Sequence, residues 1–201
     1  RSGARRRTRF LRRTRRTPDH ALCAIVSAPM SRNHFAVLNL EPRFTLVPDQ
    51  LEQAYRAAAS RVHPDRHTLS DASAQRAAMA QAADVNEAYR TLRNPAARAR
   101  HLLGLRGVVL SESGSTMSTE FLMEQMQWRE ALDEARAARD LAGLNRLQAE
   151  VRERASLLES RMARELDELN DNDAAARTVR QLMFLEKLGT ALDDALCELE
   201  G

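Results

Sequence analysis

Two apolar rows near the end of the chain leave little freedom of fold. Leu144, Gln148, Val151, Ala155, Leu158, Met162, Leu166 and Leu169 form one; Val179, Leu182, Leu185, Leu188, Leu192, Ala195, Leu196 and Leu199 form the other. Steps of three and four place each row on one side of an α-helix. Rows of this length must pack together, so helices are predicted over 140–170 and 173–199, of the kind that build bundles.

A third helix, predicted over 119–138, completes the bundle and carries two stripes. At about 100° per residue, Phe121, Trp128, Leu132 and Ala135 cluster within roughly 60° and are the expected core face. Leu122, Met123, Met126, Gln127, Glu130 and Glu134 fall within about 140° on the other side, a face too apolar to be an ordinary solvated one. Methionine is adaptable contact surface, and an apolar patch rimmed by acids suits a binding site. Packing of Leu122 and Met126 against the N-terminal helical segment or a neighbouring helix accounts for the pattern equally well. Phe184 lies about 85° from the mean direction of its own row, at the edge of the core or in a contact patch.

Earlier in the chain the helices are shorter. Pro48 suits a first helical turn, and Leu51, Tyr55, Ala58 and Val62 share a face. His63 precedes Pro64, which disfavours the α region, so this helix is expected to end near Val62. Another is predicted over 73–92, with Met79, Ala82, Val85, Tyr89 and Leu92 inward, and a short one over 96–103 ends at Gly104. The first two form a hairpin whose connection carries RVHPDRH, residues 61–67.

That stretch admits three chemistries. A metal pair of His63 and His67, as in a small metal-dependent hydrolase also using Asp65, needs both histidines on one helix face; Pro64 interrupts it and no third ligand is near in sequence. A His63–Asp65 acid–base dyad lacks a nucleophile in a recognisable turn. The third is a docking surface. With YRAAASRVHPDR before it and VNEAYRTLRNPAAR after it, the segment resembles a J-domain. The resemblance implies that His63, Pro64 and Asp65 activate the ATPase of a DnaK-type chaperone, with Arg56, Arg61 and Arg66 adding attraction to an acidic partner. A loop stiffened by proline loses little entropy on docking.

TEFLMEQMQWREALDEA (119–135) and AAARTVRQLMFLEKL (174–188) are similar to the C-terminal domain of the HscB family, J-domain co-chaperones of iron–sulfur cluster assembly. This implies a non-enzymatic protein without a cofactor of its own. Its bundle would hold the cluster scaffold protein through Leu122, Met123, Met126, Gln127, Glu130, Glu134 and Phe184, while its J-domain recruits an HscA-like ATPase. Gln127 stands where the family usually has an acid. The organisation expected is all-α: an N-terminal extension (1–29), a J-domain helical hairpin (30–105), a linker (106–118) and a three-helix bundle (119–201). A general J-protein for unfolded clients would bring a Gly/Phe-rich or Cys-rich region, which this chain lacks.

Charge and cysteine usage agree with a protein-binding role. Nine arginines crowd the first sixteen residues; from Met30 onward there are 22 basic and 27 acidic residues, a net of −5 that does not favour nucleic acid. The split is uneven, +4 over 30–110 and −8 over 118–201, suggesting two partners. Cys23 and Cys197 are far apart, so neither a disulfide framework nor a zinc module is indicated. No apolar run approaches the eighteen or so residues of a membrane helix. Residues 1–29 read as an organelle-targeting segment or as reading frame upstream of a start at Met30. The corresponding locations are the bacterial cytoplasm, favoured by a basic complement that is arginine except for Lys187, or a mitochondrial matrix; a monomer is expected.

Overall fold

The computed structural model describes residues 33–62, 72–110 and 117–200, and every regular element among them is helical. The elements are α1 (His34–Val37), α2 (Pro48–Arg61), α3 (Ala72–Arg93), α4 (Pro95–Leu105), α5 (Thr119–Ala137), α6 (Leu141–Ala163), a π-turn (Arg164–Glu168) and α7 (Asn172–Glu200). The all-α expectation holds. Residues 1–29 and the HPD stretch lie outside the described residues.

Local chemistry sets most of the boundaries. Pro48 and Pro95 occupy first-turn positions, where a missing N–H loses nothing. The side chains of Asn33, Asn94, Ser118 and Asp140 accept from the backbone N–H three residues on, satisfying donors that a helix start leaves open. The α4 terminus differs from the expectation. The helix passes through Gly104 and stops where Gly107 takes φ +80°, with Val108 N–H donating to Leu103 O and Gly107 N–H to Gly104 O. This paired closure uses the left-handed residue as the stop. Arg139 ends α5 in the same manner, at φ 54°.

Two predicted inward positions are exposed. Met79 is 62 % exposed, and among the described side chains of α3 Ala78, Val85, Ala88 and Leu92 are buried. Leu169 is 58 % exposed because the π-turn before it changes the register, burying Glu165 and Leu166 in succession. The short α1, with no periodicity to announce it, supplies buried Phe35; Leu38 and Phe44 follow it into the core.

Residues 31–201 form one compact unit, in which α4 packs on α3 and α7 and one cluster of buried residues runs from Phe35 to Ala195. A polar seam lines this junction. Phe44 and Thr45 donate their backbone N–H groups to the two carboxylate oxygens of Asp167, both at 2.7 Å. Arg98 lies 4.7 Å over the Phe44 ring and donates to Leu92 O. Asn94 donates to Glu186, and Arg106 to Asn172 and Leu166 O. Burial pushes the Asp167 carboxyl up, but the backbone donors and Arg43 together hold it below its usual value.

At the far end of the hairpin the ring of His101 caps α1. Its Nε2 accepts from His34 N–H at 3.1 Å, and the ring stacks near those of His34 and Phe35. Burial, with the neighbouring His34, lowers its pKa to about 4, which keeps the imidazole neutral and able to accept.

Two expectations follow. Asp167→Ala removes both acceptors, and hydrogen bonds to a charged group contribute about 1.5–3 kcal/mol. Urea unfolding should show a loss of about 2 kcal/mol, with Asp167→Asn intermediate; a loss below about 0.5 kcal/mol would remove Asp167 from the seam. For His101 the folded pKa lies below the unfolded one. Its contribution is therefore complete above about pH 6.5 and disappears as the pH falls toward about 4. The His101 ring should titrate by NMR near pH 4, and a midpoint near 6.5 would contradict the cap.

Candidate functional site

The chain carries two separate surfaces, one on the α2–α3 hairpin and one on α5 and α7. In the hairpin, Tyr55 of α2 stacks on Tyr89 of α3 with centroids 4.3 Å apart. Tyr55 Oη donates to Asn86 Oδ1 and Tyr89 Oη to Glu52 Oε2, at 3.0 and 2.7 Å. Glu52 also accepts from Arg56 Nε at 2.9 Å. The Tyr89 hydroxyl and then the Arg56 guanidinium hold the Glu52 carboxyl below its ordinary value. These bonds clamp α2 to α3 about two turns before the HPD stretch.

Of the residues assigned to ATPase docking, Arg56 and Arg61 are on α2 and both are exposed. Arg56 shares its charge with Glu52 one turn earlier. Arg61 sits in the last turn, followed by half-buried Val62, while Ala58 is core. His63, Pro64, Asp65, Arg66 and His67 lie outside the described residues. Among the described residues no group of three or more His, Cys, Asp or Glu side chains could hold a metal.

On the bundle, α5 separates its two stripes fully. Phe121, Trp128 and Leu132 are buried, and Trp128 Nε1–H donates to Glu150 at 2.8 Å. Opposite them, Leu122, Met123 and Met126 are 46, 58 and 70 % exposed, with Gln127, Glu130 and Glu134 exposed beside them. Packing of Leu122 and Met126 on a neighbouring helix is therefore not realised. These three apolar side chains face solvent within about one turn of helix.

Phe184 belongs to both worlds. Its ring meets Phe121 edge-on at 5.9 Å and stacks near Trp128 at 6.3 Å, yet it is only half-buried and forms part of a cleft with Arg129, Met183 and Lys187. Periodicity did not reveal Arg129, whose guanidinium lies 5.4 Å from the Phe184 centroid. Its seven-residue spacing from Leu122, about two turns, was the available signal.

Comparison with known proteins matches residues 33–101 to the DnaJ domain and residues 117–193 to the HSCB C-terminal oligomerisation domain. A co-chaperone protein HscB homolog of Bordetella pertussis is 46 % identical over 164 residues, covering 81 % of this chain and 95 % of the relative. That of Burkholderia multivorans is 42 % identical over 169 residues, covering 84 and 96 %. The chaperone HscB of Vibrio cholerae superposes with a TM-score of 0.72 at 31 % identity, covering 83 % of this chain and 99 % of that one. Human co-chaperone HscB shares the fold, with a TM-score of 0.74 at 21 % identity over 81 % of each chain.

The geometry separates stability from contact. Met123→Ala and Met126→Ala should leave the unfolding free energy within about 0.5 kcal/mol of the parent, as surface changes do. Phe184→Ala should lower it by about 2–3 kcal/mol through the lost aromatic packing. Chemical denaturation distinguishes the two classes, and equal effects would mean that the exposed face is structural.

Proposed function

The chain belongs to the HscB family of J-domain co-chaperones, and from that membership we propose that it couples a DnaK-type chaperone ATPase to the scaffold protein of iron–sulfur cluster assembly. The hairpin docks on the ATPase through His63, Pro64 and Asp65, aided by Arg56, Arg61 and Arg66. The bundle holds the scaffold through Leu122, Met123, Met126, Gln127, Glu130, Glu134 and Phe184. The cluster travels as cargo on the scaffold, so this chain needs no cofactor and performs no chemistry of its own.

The observation that carries this reading is the solvent-facing row of Leu122, Met123 and Met126 beside Glu130 and Glu134, on a chain that also presents a clamped J-domain hairpin. Free energy of docking at such a face comes from apolar burial, while the carboxylates select a cationic partner surface. Because hairpin and bundle pack as one unit, a scaffold held on α5 is brought to the ATPase in a repeatable place. Binding at both ends then links hydrolysis to the release of the scaffold's cluster. Among the described residues no helix is long and apolar enough to cross a membrane, and the bacterial relatives support a cytoplasmic location.

ATP turnover by the cognate chaperone, measured with and without scaffold, tests the two halves separately. His63→Gln should abolish stimulation and leave scaffold affinity unchanged. Met123→Ala combined with Met126→Ala should weaken scaffold binding at least tenfold and leave stimulation by the chain alone intact. Normal stimulation and normal binding in both variants would refute the assignment.

A further inference from the structure

The face assigned to the scaffold is bordered by a positively charged cleft that the apolar and acidic residues do not explain. It has a volume of about 410 Å³, opens between α5 and α7, and is lined in part by Gln125, Arg129, Met183, Phe184 and Lys187. Arg180, which donates to Ala176 O, also borders it. Among the described residues Arg129 and Lys187 pair with no carboxylate. The contact of Arg129 with the Phe184 ring leaves its guanidinium edge open to an acceptor.

Helical geometry orders the charges. Going round α5 from its core edge at about 100° per residue, one meets Gln125, Arg136, which pairs with Glu198, then Arg129, Leu122, Asp133, Met126, Glu130, Met123 and Glu134. The cationic edge abuts the cleft, where Lys187 lies about one turn beyond Phe184 on α7; Glu130 and Glu134 stand on the side away from it, about one and two turns further along α5 than Met126. Leu122, Met123 and Met126 occupy the first turns of this face; Asp133 and Glu130 fall between them in angle but lie further along the helix, toward its C-terminus.

A partner covering the apolar middle must cover both charged edges. A charge buried without its counterpart is strongly unfavourable, so a partner with one basic and one acidic side chain flanking an apolar patch fits in one orientation only. We propose that the cleft between α5 and α7 receives a carboxylate side chain of the docked scaffold through Arg129 and Lys187, fixing the scaffold's orientation on the bundle. This rests on the docking assignment above. Continuity of the cleft with Phe184, and the lack of a carboxylate partner for Arg129 and Lys187 among the described residues, favour an acidic residue of that same partner over a second ligand.

Calorimetric titration with the scaffold protein at low and at high salt tests this. The double variant R129E/K187E should bind at least tenfold more weakly at low salt and lose most of the salt dependence, with R129Q/K187Q intermediate. Replacing the scaffold's surface acids one at a time by lysine should reveal one variant whose binding R129E/K187E restores. Affinity of R129E/K187E within twofold of the parent, or a loss that no acid-to-lysine scaffold variant recovers, overturns the cleft assignment. If Met123→Ala with Met126→Ala then still abolishes binding, the docking face stands without the cleft; if that variant also binds like the parent, the docking face itself fails.

Discussion

After α1 the chain runs to Pro48 without regular structure, and its backbone donors need partners from elsewhere. Asp167 supplies them for Phe44 and Thr45 from the π-turn, more than a hundred residues away. The wider turn puts Glu165 and Leu166 in the core and brings the next residue to the seam. Arg98 covers the Phe44 ring on the same seam; burial lowers its pKa, while the carboxylates of Glu159 and Asp167 oppose that shift. Apolar contact between the hairpin and the bundle is non-directional, and the bonds of Asp167 join those of Asn94 to Glu186 and of Arg106 to Asn172 and Leu166 O across it. Hydrogen bonds add the direction that sets how one surface faces relative to the other.

What could be read from residues alone was whatever depends on neighbours in sequence. The long rows of α6 and α7, the start at Pro48 and the two faces of α5 are local or periodic properties, and all are present in the structure. Met79 departs from the expected row because periodicity does not say whether the larger Met79 or its small neighbour Ala78 turns inward; Ala78 and Ala88 are the buried ones. Leu169 misled because a π-turn alters the register without a signature in composition. Gly104 and Gly107 are equally glycine; only the bonds closing the helix, Val108 to Leu103 and Gly107 to Gly104, distinguish them. The roles of Asp167 and His101 arise from tertiary partners, invisible to any window of sequence.

Within the site, legibility divides in the same way. The exposed row of Leu122, Met123 and Met126 followed from angles on one helix. The cleft at Phe184 did not, because it exists only where α5 and α7 meet. Phe184 combines tasks: its ring closes the aromatic group of Phe121 and Trp128 and floors the cleft. Such a residue is a poor probe of binding alone, whereas the exposed methionines are good ones.

Magnitudes argue that charge must contribute to recognition at this face. Fully burying a Leu or Met side chain contributes about 1.5–3 kcal/mol, and Leu122, Met123 and Met126 already hide between 30 and 54 % of their surface. The three together therefore offer a few kcal/mol on docking. Association itself costs about 4–15 kcal/mol in lost freedom, so an apolar patch of this size cannot by itself hold a partner selectively. A small apolar centre with charges beside it reconciles two demands: apolar burial supplies attraction, the charges add to it and set the orientation, and the modest size of the centre permits release. A larger apolar patch would bind more tightly, yet it would retain a scaffold that has to leave in every cycle and would expose the free chain to self-association.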